Sequence, residues 1–245
     1  METPVIELKD ISLTAQNMTI VQNVQLSIKD GQTAAFVGPS GGGKSTLLKL
    51  AAGLIVPTGG EAYYRGQAIS TMNRQSNLNF RRKTAFVFQD SALWANQSLR
   101  QILELPLKIH FPRMTEKQRT ARIVEVCAEA GYRRELDIRP SQLSMGEQKL
   151  IAFARALVCD PDLLFLDEWT ESLDDASARR LINAVKKRQQ AGSTIVFVSH
   201  NFMVIKELAQ RICMIMDGRL SMEISGKEIA QNEALAQMVQ KGIAL

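Results

Sequence analysis

Four short apolar runs recur along the chain: Ala34–Val37, Ala85–Phe88, Leu163–Leu166 and Ile195–Val198. Continuous runs this short suit strands buried on both faces of a parallel sheet, because a half-exposed strand would alternate apolar with polar. Between them the apolar spacing changes to a helical period. Ile123, Val124, Val126, Cys127 and Ala130 share one helical face, as do Ala178, Leu181, Ile182 and Val185. Strands alternating with helices predict an α/β fold. Two regions break the alternation. Residues 5–28 alternate without an intervening helix, which predicts antiparallel strands, and residues 98–158 carry no strand pattern and read as mostly helical. The expected body has an α/β core from 31–56, 84–89 and 160–217, a β subdomain near the N-terminus that takes in Glu61–Gly66, and a helical insertion over about 90–158. Residues 1–225 form one expected unit. A C-terminal helix over 226–245 follows, with Ile229, Leu235, Met238 and Val239 as its packing face.

Composition narrows the class. The chain has 245 residues, 45% hydrophobic and 22% charged, which excludes disordered, collagen-like and coiled-coil proteins. Its apolar runs are far shorter than the ~20 residues of a spanning helix. The opening METPVIELKD lacks the basic-then-apolar pattern of a secretory signal. Cys127, Cys159 and Cys213 are odd in number and far apart, which fits neither a metal site nor a disulfide framework and points to a reducing compartment. The net charge of +5 is compatible with phosphate, nucleic acid or anionic lipid, and is modest enough to reflect solubility alone.

The stretch GPSGGGKST (38–46) changes the picture. Gly38, Gly43, Lys44 and Ser45 match G-x-x-x-x-G-K-[ST], directly after the Ala34–Val37 run and before a helix-forming segment. Gly38, Gly41, Gly42 and Gly43 let backbone N–H groups of the loop, Ser40 and Thr46 included, converge on an anion, and the helix N-terminus adds its positive dipole end. Lys44 would reach the β and γ phosphates and Ser45 would hold Mg²⁺. LLFLDE (163–168) supplies the carboxylates at a strand's C-terminal end. Asp167 would support Mg²⁺ and Glu168 would orient or deprotonate the attacking water. The fold class is therefore α/β: a P-loop NTPase core with an N-terminal antiparallel β subdomain and an inserted helical subdomain. A bound nucleotide and Mg²⁺ are the expected cofactors.

Further motifs carry a resemblance to ATP-binding-cassette (ABC) ATPases. LSMGE (143–147) resembles their signature, Gln89 their Q-loop glutamine, Ser172–Leu173–Asp174 their D-loop and His200 their switch histidine. The resemblance covers about residues 5–220. It implies a homodimer of cassettes around two ATP, with Ser144 and Gly146 facing the partner's nucleotide and Asp174 among the nucleotide-binding residues. It also implies that His200 contacts the γ-phosphate and that Gln89 senses Mg²⁺ and nucleotide. His110 has no motif around it and reads as a surface or partly buried histidine.

The chain departs from the pattern in places. Ala15 stands where the family carries an aromatic against adenine, so weaker base contact and relaxed nucleotide preference are expected. Trp169 replaces the usual proline after Glu168, either packed under the loop or placed at the dimer interface. Glu147 puts a negative charge in the signature, and Leu150 replaces a common arginine. The expected activity is nevertheless ATP hydrolysis that drives a separate membrane permease, with the chain peripheral at the cytoplasmic face of the inner membrane and no nucleic-acid partner. Permease contact is assigned to the groove after Gln89, above all to Trp94. Most of Leu99, Ile102, Leu103 and Leu107 would be used for packing. QDSALW (89–94) and the following helix resemble ATPases of mammalian-cell-entry-type phospholipid systems. Other import, export, or a non-transport role in complex assembly are the alternatives.

Overall fold

A computed structural model describes residues 3–244; the side chains of Ala230, Met238 and 241–244 fall outside that description. Two sheets organise it. The first joins β1 (Ile6–Ala15), β2 (Met18–Ile28), β4 (Gly59–Tyr64) and β5 (Gln67–Ala68), all antiparallel, in the order β2-β1-β4-β5. The β1–β2 turn, Gln16–Asn17, has φ 50 and 62, the left-handed pair that a two-residue hairpin demands. The second sheet has the order β10-β9-β3-β8-β7-β6. In it β3 (Thr33–Val37), β6 (Thr84–Val87), β7 (Leu163–Asp167), β8 (Thr194–Val198) and β9 (Arg211–Met216) run parallel, and β10 (Arg219–Ser225) is an antiparallel edge.

The apolar runs are continuous because both faces of this sheet are covered. Ala34, Phe36, Leu163, Phe165, Val196 and Val198 point to one core, shared with α1 (Lys44–Ala51) and the antiparallel sheet. Ala35, Val37, Leu164, Leu166, Ile195 and Phe197 point to the other. That second core is closed by α3 (Leu99–His110), α4 (Glu116–Ala130), α5 (Met145–Leu157), α6 (Asp175–Gln190) and α7 (Phe202–Leu208). Leu99, Leu103 and Leu107 are fully buried there and Ile102 is fully buried beside them, each adding about 1.5–3 kcal/mol, so this face is packing. Ser98 starts α3 with a reciprocal cap, its side chain accepting from Gln101 N–H and Gln101 returning the bond.

Several elements differ from expectation. Val124 is exposed and falls outside the face of α4 that buries Ile123, Val126, Cys127 and Ala130. The C-terminal segment is two helices, α8 (Gly226–Gln231) and α9 (Glu233–Ala244), broken at Asn232 in extended conformation. Ile229 and Val239 are buried and Leu235 half-buried; Met238's side chain lies outside the described residues. β10 and α2 (Arg74–Lys83) were not anticipated. α2 buries only Phe80, too little to leave a periodic signal, and is started by Asn73 accepting from Ser76 N–H at 2.9 Å.

Candidate active site

The parallel strands β3, β7 and β8 end side by side, with Asp167 level with Val198 and Phe36 level with Val198. The chain therefore delivers the loop 38–43, the pair Asp167–Glu168 and Ser199–His200 to one edge of the sheet. The loop hugs its neighbours. Gly38 has φ 143, and a Cβ there would overlap the Ile215 carbonyl; Gly43, at φ 93, would place one 2.7 Å from the Ile20 carbonyl. Glycine is required at both by sterics. Gly43 is the N-cap of α1, with Lys44, Ser45 and Thr46 in its first turn, and Ser40 and Gly41 are exposed.

Lys44 is buried, and its Nζ donates to the carbonyls of Gly38 (2.9 Å) and Pro39 (2.7 Å). Burial lowers its pKa, opposed by the charges of Glu168 and Asp167. Ser45 Oγ donates to Asp167 Oδ1 at 2.8 Å. Burial raises the Asp167 pKa, opposed first by that hydroxyl. Glu168 sits in left-handed backbone at φ 45. Its Oε2 accepts from the His200 N–H at 3.2 Å, and its Oε1 lies 3.3 Å from His200 Nε2 without hydrogen-bond geometry, so that buried oxygen has no formal partner. Burial pushes the Glu168 pKa up, with His200 pulling the other way. Gln89 follows β6 and donates from Nε2 to Glu171 Oε2 at 3.0 Å.

Among the described residues no cluster of three or more His, Cys, Asp or Glu would hold a metal unaided. One carboxylate beside one hydroxyl suits Mg²⁺, which keeps waters and takes substrate phosphates as further ligands.

Other expected residues stand apart from this cluster. Asp174 is exposed and caps α6, accepting from Ser177 N–H at 2.9 Å, which lowers its pKa. Ser144 caps α5 in a reciprocal pair with Glu147. The Glu147 charge is matched by Arg134 at 2.8 Å, so it adds little net negative potential to the signature. Gly146 faces Ser172 and Leu173, with 3.6 Å left for a Cβ. Trp169 is fully buried, edge-on to Phe197 at 5.3 Å. The interface option for it does not hold, and it packs beneath the loop.

Two neighbours of the site were invisible in the sequence. Lys149, on α5, reaches the Glu168 carbonyl at 2.8 Å. Gln240, on α9, lines the pocket of Glu168, Glu171 and His200. Neither lies in a recognisable motif, and both arrive through tertiary packing.

A groove of about 440 Å³ opens between the core and the helical region, lined by Trp94, Arg81, Arg82, Phe86, His110 and Arg155 among others. Trp94 is 47% exposed, with the Arg155 guanidinium 6.0 Å over its ring. Arg155 also donates to the carbonyls of Ser91 and Ala92, pinning two left-handed residues. His110 is half-buried in the groove wall, where burial and Arg82 lower its pKa.

Residues 21–171 match the ABC transporter family. The nickel import ATP-binding protein NikE of Shigella flexneri serotype 5b (strain 8401) is 35% identical over 210 residues, spanning 84% of this chain and 78% of that protein. NikE of Escherichia coli (strain K12) is 32% identical over 233 residues, spanning 93% and 87%. The ATP-binding cassette MJ0796, solved as a post-hydrolysis dimer bound to ADP and Pi, aligns with TM-score 0.84 at 30% identity, over 90% of this chain and 98% of that one. The cbiO1 protein of Clostridium perfringens, part of a cbiONQ complex, shares the fold at TM-score 0.77 and 22% identity, over 98% and 96%.

Proposed function

The chain belongs to the ABC transporter family and is an ATP-hydrolysing subunit of such a transporter, and from that premise we propose that it works as a homodimer driving separate membrane permease subunits. It sits peripherally at the cytoplasmic face of the membrane; no helix among the described residues is long and apolar enough to cross one. The observation that carries the reading is the gathering of Lys44, the Ser45–Asp167 pair and the Glu168–His200 pair at adjoining strand ends.

In this reading ATP lies along the loop 38–46, with Lys44 leaving the loop carbonyls for the β and γ phosphates. Ser45 and Asp167 would hold Mg²⁺, with Gln89 as a further contact, and the ion would neutralise phosphate charge. Glu168 orients the attacking water and accepts its proton, and His200 fixes the Glu168 carboxylate through its backbone N–H. Ser144 and Gly146 serve the nucleotide of the second subunit, and Asp174 lies at the contact between subunits. The unit 1–225 acts as one cassette, with the helical insertion 90–158 as its permease-facing part and the C-terminal helices as a closing element.

Permease contact is placed in the Trp94 groove. An exposed tryptophan among arginines is a composition enriched at interface hot spots. The protein is expected to co-purify in detergent with a polytopic membrane protein, and Trp94→Ala to weaken that association; recovery of the chain alone would count against the reading.

Import is the preferred direction, since the relatives reported above are themselves nickel-import subunits. A phospholipid cargo keeps one observation, the QDSALW stretch at 89–94. Uptake of radiolabelled nickel and movement of labelled phospholipid in deletion strains separate the two.

Ala15 is exposed at the hairpin tip, opposite Met18, which is 66% exposed. With Met18 as the only large apolar side chain of that pair, the ~1–3 kcal/mol of aromatic stacking is missing. GTP is therefore expected to compete with ATP to within about tenfold, and strict preference for ATP in a competition assay would contradict this.

A further inference from the structure

Lys149 is an unusual residue for its position. It lies one turn into α5, is 5% exposed, and donates from Nζ to the Glu168 carbonyl at 2.8 Å. Among the described residues it has no other hydrogen-bond acceptor and no ion pair. The carboxylates of Glu171, Glu168, Asp167 and Asp90 are near enough to favour its charge, but burial dominates and lowers its pKa. Burying an ammonium against one carbonyl is costly, and an apolar side chain of the same length would pack there more cheaply. Packing alone therefore does not account for a lysine here.

The carbonyl it holds belongs to a strained residue. Glu168 is a non-glycine at φ 45, which the surroundings must impose at a cost of roughly 1–2 kcal/mol. Its N–H donates to the Val198 carbonyl at 3.1 Å, and its own carbonyl accepts from the Glu171 N–H at 3.2 Å within the following turn. Lys149 is the clamp that comes from the helical region. It shares α5 with Ser144, the N-cap, and Gly146 in the first turn. Ser144 and Lys149 are about 7.5 Å apart along a rigid helix axis.

We propose that Lys149 is a positioning residue that holds Glu168 in its working conformation and links the signature turn, which serves one nucleotide, to the water-activating carboxylate at the other. The link between sites rests on the paired-cassette reading above. When α5 is drawn toward the partner's ATP, its Nζ moves with it, and the Glu168 backbone is set or released accordingly.

The test compares Lys149→Met with the parent, in the full chain. Methionine keeps the length and tolerates burial, so the thermal midpoint is expected to hold or rise. The kcat for ATP is expected to fall about tenfold or more, as misplacement of a reacting group does, while KM changes less than about threefold. Lys149→Met added to Glu168→Gln is expected to leave ATP-driven pairing, read by light scattering, unchanged. A kcat within about twofold of the parent would overturn the proposal, and so would a fall in thermal midpoint with kcat and KM both impaired, which marks a packing role. If Glu168→Gln alone does not pair with ATP, the paired-cassette reading fails and the inter-site link with it, while the kcat–KM split still decides positioning.

Discussion

Glu168→Gln is expected to lower steady-state ATP hydrolysis by roughly 10²-fold or more while ATP is still bound. Glutamine keeps the shape and can still face the His200 N–H, which contacts Glu168 Oε2 at 3.2 Å, but it cannot take a proton from water. The same substitution is expected to raise the thermal midpoint at neutral pH. Burial pushes the Glu168 pKa above that of an exposed carboxylate. A raised carboxyl pKa favours folding at low pH, and that contribution is lost as pH rises from the unfolded pKa through the folded one. At neutral pH the ionised side chain is thus a liability that glutamine removes. The sign for activity is the reverse. The wild-type rate should fall on acidification once the pH drops through the raised pKa, earlier than an ordinary carboxylate would dictate. A phosphate-release assay across pH, with calorimetry on both proteins, measures all three effects.

Lys44→Ala is expected to act at the binding step instead. The ammonium is buried and already aimed into the loop by Gly38 and Pro39 carbonyls, so it exchanges neutral acceptors for phosphate at little entropic cost. Hydrogen bonds to charged groups contribute about 1.5–3 kcal/mol, so ATP affinity should weaken by about 10- to 100-fold. A fluorescent nucleotide titration reads this directly. Unchanged affinity would remove Lys44 from the phosphate site.

These two residues were legible because their chemistry is written locally. A strand, a glycine loop and a helix occupy consecutive residues, so Gly38 to Ser45 can be placed from sequence spacing alone. The runs ending at Val37, Leu166 and Val198 were equally plain, since both sheet faces are covered and no polar position interrupts them. What failed to show was set by contacts across the fold. Lys149 is one more polar letter in a helix until the Glu168 carbonyl is brought to it. Gln240 reaches the pocket only because Val239 buries α9 against the core. Trp169 offered two sequence readings, and burial beside Phe197 left one. Asp174 was grouped with the nucleotide contacts, yet in the single chain its carboxylate serves the first turn of α6.

Hydrolysis by paired cassettes that depends on Glu168 is tested most directly by ATPase activity per chain as a function of protein concentration, for wild type and Glu168→Gln. Wild-type specific activity is expected to climb with concentration and then level off as chains pair, while the variant stays near background throughout. Specific activity independent of concentration, or a variant as active as wild type, would contradict it.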